Sequence, residues 1–130
     1  MTPAHAQSLD SAPRSVRAAR RMLEEVCDGL STDRLDDARL IVSELVTNAV
    51  LHGEQDGGVG VSLAWNAPIL RIEVRSAGAF GLSDGQGPAH GRGLRLIEAL
   101  SDRWGIDTGP ATTVWAEVRE HSPRRGLADG

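Results

Sequence analysis

Glu44, Asn48 and His52 recur at every fourth position inside the run Ser43-Glu44-Leu45-Val46-Thr47-Asn48-Ala49-Val50-Leu51-His52-Gly53. At ~3.6 residues per turn, positions four apart differ by about 40° of rotation, so a carboxylate, an amide and an imidazole form one polar row on a helix. Magnesium takes oxygen ligands and keeps several waters, so a single amide oxygen such as that of Asn48 can be its direct protein ligand. A carboxylate one turn earlier can accept the proton of a water or hydroxyl that attacks a phosphate, which is the chemistry open to Glu44. The same spacing also fits a solvated polar face, since Glu-x-x-x-Asn pairs arise freely by chance.

About forty residues further on, His90-Gly91-Arg92-Gly93-Leu94 opens a second helical pattern. Glycines remove side chains where a backbone must approach phosphate, and the helix that follows points free N–H groups and a positive dipole end at an anion. Arg92 can add a charge-assisted contact. Taken alone, Gly-x-Gly is more commonly the mark of a plain turn before a helix. The two segments together suggest a nucleotide site.

These residues need elements to position them. After a polar leader over 1–12, Pro13 suits a first helical turn, and Val16, Ala19, Leu23, Val26, Cys27 and Leu30 recur at helical spacing up to a stop near Gly29. Ser31, Thr32 and Asp33 are N-cap candidates for a second helix reaching about Leu51, and the acids Asp33, Asp36 and Asp37 sit where its dipole favours them. Its apolar positions cover a broad face, as a helix lying on a sheet requires. Val59, Val61, Leu63 and Trp65 alternate at period two, Asn66-Ala67-Pro68 turns the chain, and Ile69–Arg75 alternates again, which predicts a hairpin. Ser76 to Gly91 is rich in Gly, Ser and Pro and is long for a connection, a pattern typical of functional loops. A helix is expected from about Arg92 to Leu100, then strands over Arg103–Asp107 and Thr112–Arg119, and a frayed tail over 120–130. The order predicts an α+β two-layer sandwich, with helices on one face of a mostly antiparallel sheet.

Composition narrows the function. A chain of 130 residues supports one compact domain, here 13–119. Its net charge of −4 lacks the basic excess with which nucleic-acid binders replace counterions, and one phenylalanine, three tryptophans and no tyrosine offer little for base stacking. Cys27 is the only cysteine, so no internal disulfide forms and a reducing compartment is expected. No apolar run suggests a signal peptide or membrane span, and the expected location is cytoplasmic.

From about Pro13 to Val118 the chain resembles the small single-domain members of the GHKL (Bergerat-fold) ATPase superfamily, in particular anti-sigma factor serine kinases and their actinobacterial relatives. Ala38 to Gly53 resembles the family's N-box, Gly91 to Gly105 its second glycine box and the segment after it, and Thr112-Thr113-Val114-Trp115-Ala116-Glu117 its closing strand. The resemblance implies ATP and Mg as ligands and a sigma factor or an anti-sigma antagonist as partner, with no nucleic acid and no membrane. It gives Glu44 the catalytic acidic position, Asn48 the metal position, and Gly91, Arg92, Gly93 and Leu94 the phosphate-loop pattern. Thr113 takes the nucleotide-holding threonine. Homodimerisation through a helical or a sheet face is a further expectation.

One position departs from the family. Its first glycine box has an adenine-binding aspartate with a glycine two residues on, whereas here Ser76 stands in the aspartate's place before Gly78. A neutral acceptor weakens adenine recognition, and this leaves two readings: a partner-binding serine kinase, or a non-catalytic interaction module with a degenerate nucleotide site. Asp84 repeats an Asp-Gly-x-Gly pattern, but within the loop instead of at a strand end.

Overall fold

Ser31 caps the helix that carries Glu44 and Asn48. Its carbonyl accepts from the Leu35 N–H at 2.8 Å and its hydroxyl from the Arg34 N–H at 3.4 Å, meeting two of the donors that a helix start leaves free. The computed structural model describes residues 4–9, 13–26, 29–52, 58–77 and 88–120. In chain order the elements are β1 (Ala4–Leu9), α1 (Arg14–Val26), α2 (Thr32–His52), β2 (Val59–Asn66), β3 (Ile69–Ala77), α3 (Pro88–Leu100), β4 (Arg103–Asp107) and β5 (Ala111–Arg119).

The strands form one antiparallel sheet in the order β1-β2-β3-β5-β4. Period-two alternation gives it two unlike faces. Val59, Val61 and Leu63 of β2, Leu70, Ile72 and Val74 of β3, and Val114, Ala116 and Val118 of β5 are buried under the helices. Ala38, Ile41, Val42, Leu45, Val46 and Ala49 of α2, Ala19, Met22, Leu23 and Val26 of α1, and Ile97 of α3 complete that core. The opposite face is open and polar, and there Arg71 bonds Glu73 at 2.7 Å and Glu117 at 2.9 Å beside the Trp115 ring. Burial pulls the Arg71 pKa down, but the two carboxylates outweigh it and the net shift is upward. Gly105 lies under the Trp115 indole, where an added Cβ would stand 2.7 Å from ring atoms. Gly58 enters β2 with φ of +68°, a conformation open to glycine at little cost.

The α+β sandwich expected from the sequence is what forms, with three differences. Residues 4–9, within the expected leader, pair with β2 from Ala4↔Ala64 to Leu9↔Val59. That stretch has no apolar alternation of its own, and the free edge of β2 supplies its hydrogen-bond partners. Helix α3 starts at Pro88, four residues ahead of the expected Arg92, because proline tolerates a first helical turn. Glu120, placed in the frayed tail, is anchored: its N–H donates to the Pro68 carbonyl and its carboxylate accepts from the Ser31 N–H, both at 2.7 Å. Residues 121–130 of that tail, Gly78 and most of the glycine-rich loop lie outside the described residues.

Arg34 locks one end of the sandwich. Its buried guanidinium donates to Asp37 at 2.6 Å, to Asp102 at 2.7 Å, and to the carbonyls of Arg119 at 3.0 Å and Leu100 at 3.3 Å. The N-terminus of α2, the C-terminus of α3 and the C-terminal end of β5 are thereby held together.

Candidate functional site

The Arg34 anchor decides what lies at the other end. Asn48 is fourteen residues beyond Arg34 on α2, or ~21 Å at ~1.5 Å per residue. Thr112 is seven residues before Arg119 on β5, or ~23 Å at ~3.3 Å per residue. Since α2 packs along β3 and β5, the helix turn bearing Asn48 lies at the sheet end where Ser76 of β3 pairs with Thr112 of β5. Helix α3 is tied to Arg34 at its last residue and packs against α2. Its opposite end, which carries Gly91, Arg92 and Gly93 in the first two turns, therefore points toward the same half of α2.

Each described side chain in this corner has its own character. Asn48 is 5% exposed, yet its amide makes no hydrogen bond to any described residue. Buried amides are normally satisfied, so an unmatched one marks a place where a ligand or ion can complete the set. Ser76 is 2% exposed, and its hydroxyl donates to the Ala77 carbonyl at 3.0 Å. With its proton committed there, the Ser76 oxygen faces any ligand as an acceptor, the same sense as a carboxylate but without the charge. Glu44, one turn before Asn48, is half-buried and has neither an ion pair nor a hydrogen bond among the described residues. Leu94 is half-buried on α3.

One expected site residue is displaced. Thr113 pairs with Arg75 and lines a depression on the open face of the sheet with Glu73, Ser62 and Gly60, on the opposite side from Asn48. Thr112 is 7% exposed on the helix-covered face, directly across from Ser76. The threonine on the same face of the sheet as Asn48 is therefore Thr112. The signal was in the alternation: Thr112 has the parity of Val114, Ala116 and Val118, the buried residues of its strand.

Asn48 fits a magnesium ion held mainly by phosphate oxygens and water, which needs few protein ligands. Among the described residues no cluster of three or more His, Cys, Asp or Glu side chains could hold a metal by itself. No helix among them is long and apolar enough to cross a membrane.

Comparison with known proteins identifies the family. The histidine kinase-like ATPase domain family matches residues 9–117. Two anti-sigma F factors of Bacillus licheniformis are each 27% identical over 103 residues, covering 68% of this chain and 70% of the relative. With the greater part of its length matched by that family, from β1 through β5, the chain belongs to the histidine kinase-like ATPases.

Proposed function

We propose that this chain is a cytoplasmic regulator of the anti-sigma, partner-switching kind, which binds Mg-ATP in the Asn48–Ser76–Thr112 corner and phosphorylates a serine on an antagonist protein. The single observation that carries the reading is the buried Asn48 amide, without a hydrogen bond among the described residues, at the sheet end that also holds Ser76 and Thr112. The likeness to anti-sigma F factors supports the regulatory part.

In this reading each residue has a defined task. Ser76 accepts from the adenine amino group, and Gly78 follows it two residues on in the sequence. Thr112 donates its hydroxyl to the nucleotide. Gly91 and Gly93 let the α3 backbone approach the phosphates, and the helix start offers N–H donors there. Asn48 would hold a magnesium ion, which when bound would neutralise phosphate charge. Glu44 accepts the serine proton as the serine oxygen forms its bond to the γ-phosphorus and the bond to the departing nucleoside diphosphate breaks. Arg92 adds positive charge beside that segment.

Titration of Mg-ATP into the purified protein tests binding: micromolar affinity that Asn48→Ala abolishes is expected. Label transfer from γ-labelled ATP to an antagonist, lost in Glu44→Ala, tests the kinase step. The second reading, a non-catalytic module, is favoured by the neutral Ser76. Partner binding with no nucleotide affinity at millimolar ATP would establish it instead.

Self-association finds support on the open sheet face. Ala6, Ser8, Gly60, Ser62 and Ala64 make a floor of small residues beside a ridge of Arg71, Glu73, Arg75 and Trp115. The depression there holds about 450 Å³, and two copies related by a two-fold axis can each set a ridge into the other's floor. Sedimentation of Ser62→Arg, expected to be monomeric against a dimeric parent, checks this arrangement.

A further inference from the structure

The outward side of α2 has a feature that the core does not use and that only Glu44 shares with the nucleotide corner. Asp33, Asp37, Leu40, Glu44, Thr47 and Leu51 are spaced alternately four and three residues apart. At ~100° per residue they fall in a narrow arc, the spacing of a seam against which a second helix packs. Leu40 is 49% exposed and Leu51 is 66% exposed, and these are the large exposed hydrophobics among the described residues. They flank Glu44 along the helix, one about 6 Å before it and the other about 10 Å beyond. The core side of α2 is filled by other residues, from Ala38 to Ala49, so packing among the described residues does not account for the two leucines.

Charge selects the occupant. The seam carries three carboxylates and no basic residue. Asp37 is tied to Arg34, whereas Asp33 and Glu44 have no ion pair among the described residues. Helix α1, by contrast, exposes Arg14, Arg17, Arg20 and Arg21, which repel a basic segment from that side. Anionic lipid and nucleic acid are disfavoured on the seam for the same electrostatic reason.

We propose that this seam docks an amphipathic, basic helix of the partner protein. Its two apolar side chains meet Leu40 and Leu51, a basic residue meets Asp33, and a hydroxyl-bearing residue between the two apolar ones sits opposite Glu44. The last element rests on the proton-accepting role given to Glu44 above. The docking surface stands independently of it. The arrangement assigns the partner a pattern: two apolar residues eleven apart, with serine or threonine four from one and seven from the other.

The probe is a fluorescent synthetic helical peptide bearing arginine, leucine, serine and leucine at the intervals of Asp33, Leu40, Glu44 and Leu51, titrated into the full chain by anisotropy. Saturable binding is expected, weakened about tenfold or more by Leu40→Asp or Leu51→Asp and by added salt, and unchanged by Asn48→Ala. A control peptide with both leucines replaced by aspartate is expected not to bind. Equal binding of the two peptides, or indifference to Leu40→Asp and Leu51→Asp in protein with parental thermal stability, overturns the proposal. If the peptide fails to bind while Leu51→Asp dissolves a dimer in sedimentation, the seam is a self-association surface and the proposal likewise falls. Docking that persists while Glu44→Gln leaves label transfer unaltered overturns the role of Glu44 and leaves the seam in place.

Discussion

Replacing Ser76 by aspartate tests the departure from the family's first glycine box that bears most on adenine recognition. Ser76 is 2% exposed and spends its proton on the Ala77 carbonyl, so a ligand meets a neutral acceptor. Hydrogen bonds to charged groups contribute about 1.5–3 kcal/mol, against about 1 kcal/mol for neutral ones. Ser76→Asp should therefore tighten Mg-ATP by about 0.5–2 kcal/mol, or roughly two- to thirtyfold. Without nucleotide the new carboxylate is buried and unmatched, which costs about 1–3 kcal/mol. For a chain of this length each kcal/mol moves the melting temperature by about 3–5 °C. The unliganded variant should thus melt several degrees below the parent, and saturating Mg-ATP should raise its melting temperature by more than it raises the parent's. Ser76→Ala should weaken binding by about fivefold, the value of one neutral hydrogen bond. Calorimetric titration and thermal melts with ATP, and with inorganic triphosphate as a ligand lacking adenine, read all of these. A gain in Ser76→Asp that appears equally with inorganic triphosphate, or no change in either variant, would refute the assignment of Ser76 to adenine.

Thr112→Val should lower Mg-ATP affinity by about fivefold while Thr113→Val leaves it unchanged; the reverse pattern in titrations would place the site on the other face of the sheet. Arg34→Met leaves Asp37, Asp102 and the carbonyls of Leu100 and Arg119 without their shared donor. Loss of about 2–4 kcal/mol is expected in urea unfolding, at the lower side of the range for buried ion pairs because both aspartates keep contact with water. Gly105→Ala forces the Trp115 ring off its seat and out of contact with Arg71, whose guanidinium carbon lies 4.3 Å from the ring centre. A stability loss of about 1–3 kcal/mol with a changed near-UV tryptophan signal is the expected outcome.

Strong periodicity made most elements legible. The broad apolar face of α2, with a capping serine before it, and the alternation of β2 and β3 are local signals that tertiary packing reinforces. Ala4–Leu9 carries no such signal, because an edge strand can be held by a neighbour's backbone alone. The early start of α3 was hidden by glycines that read as a turn before the helix, although Pro88 marks a permitted beginning. Arg34 was invisible as a clamp, since its partners Leu100, Asp102 and Arg119 are 66 to 85 residues away in the chain.

What the sequence by itself determined is the chemistry available: an amide and a carboxylate one turn apart, a glycine segment at a helix start, and a serine where an acid is usual. Residue type and helical spacing are local properties, and they survive any arrangement of the rest. Only the tertiary structure decided which groups share one face and one end of the sheet. Strand pairing sets Ser76 against Thr112 and turns Thr113 to the far side, and the Arg34 anchor sets the direction of α2, because pleat parity and helix placement depend on partners distant in the chain.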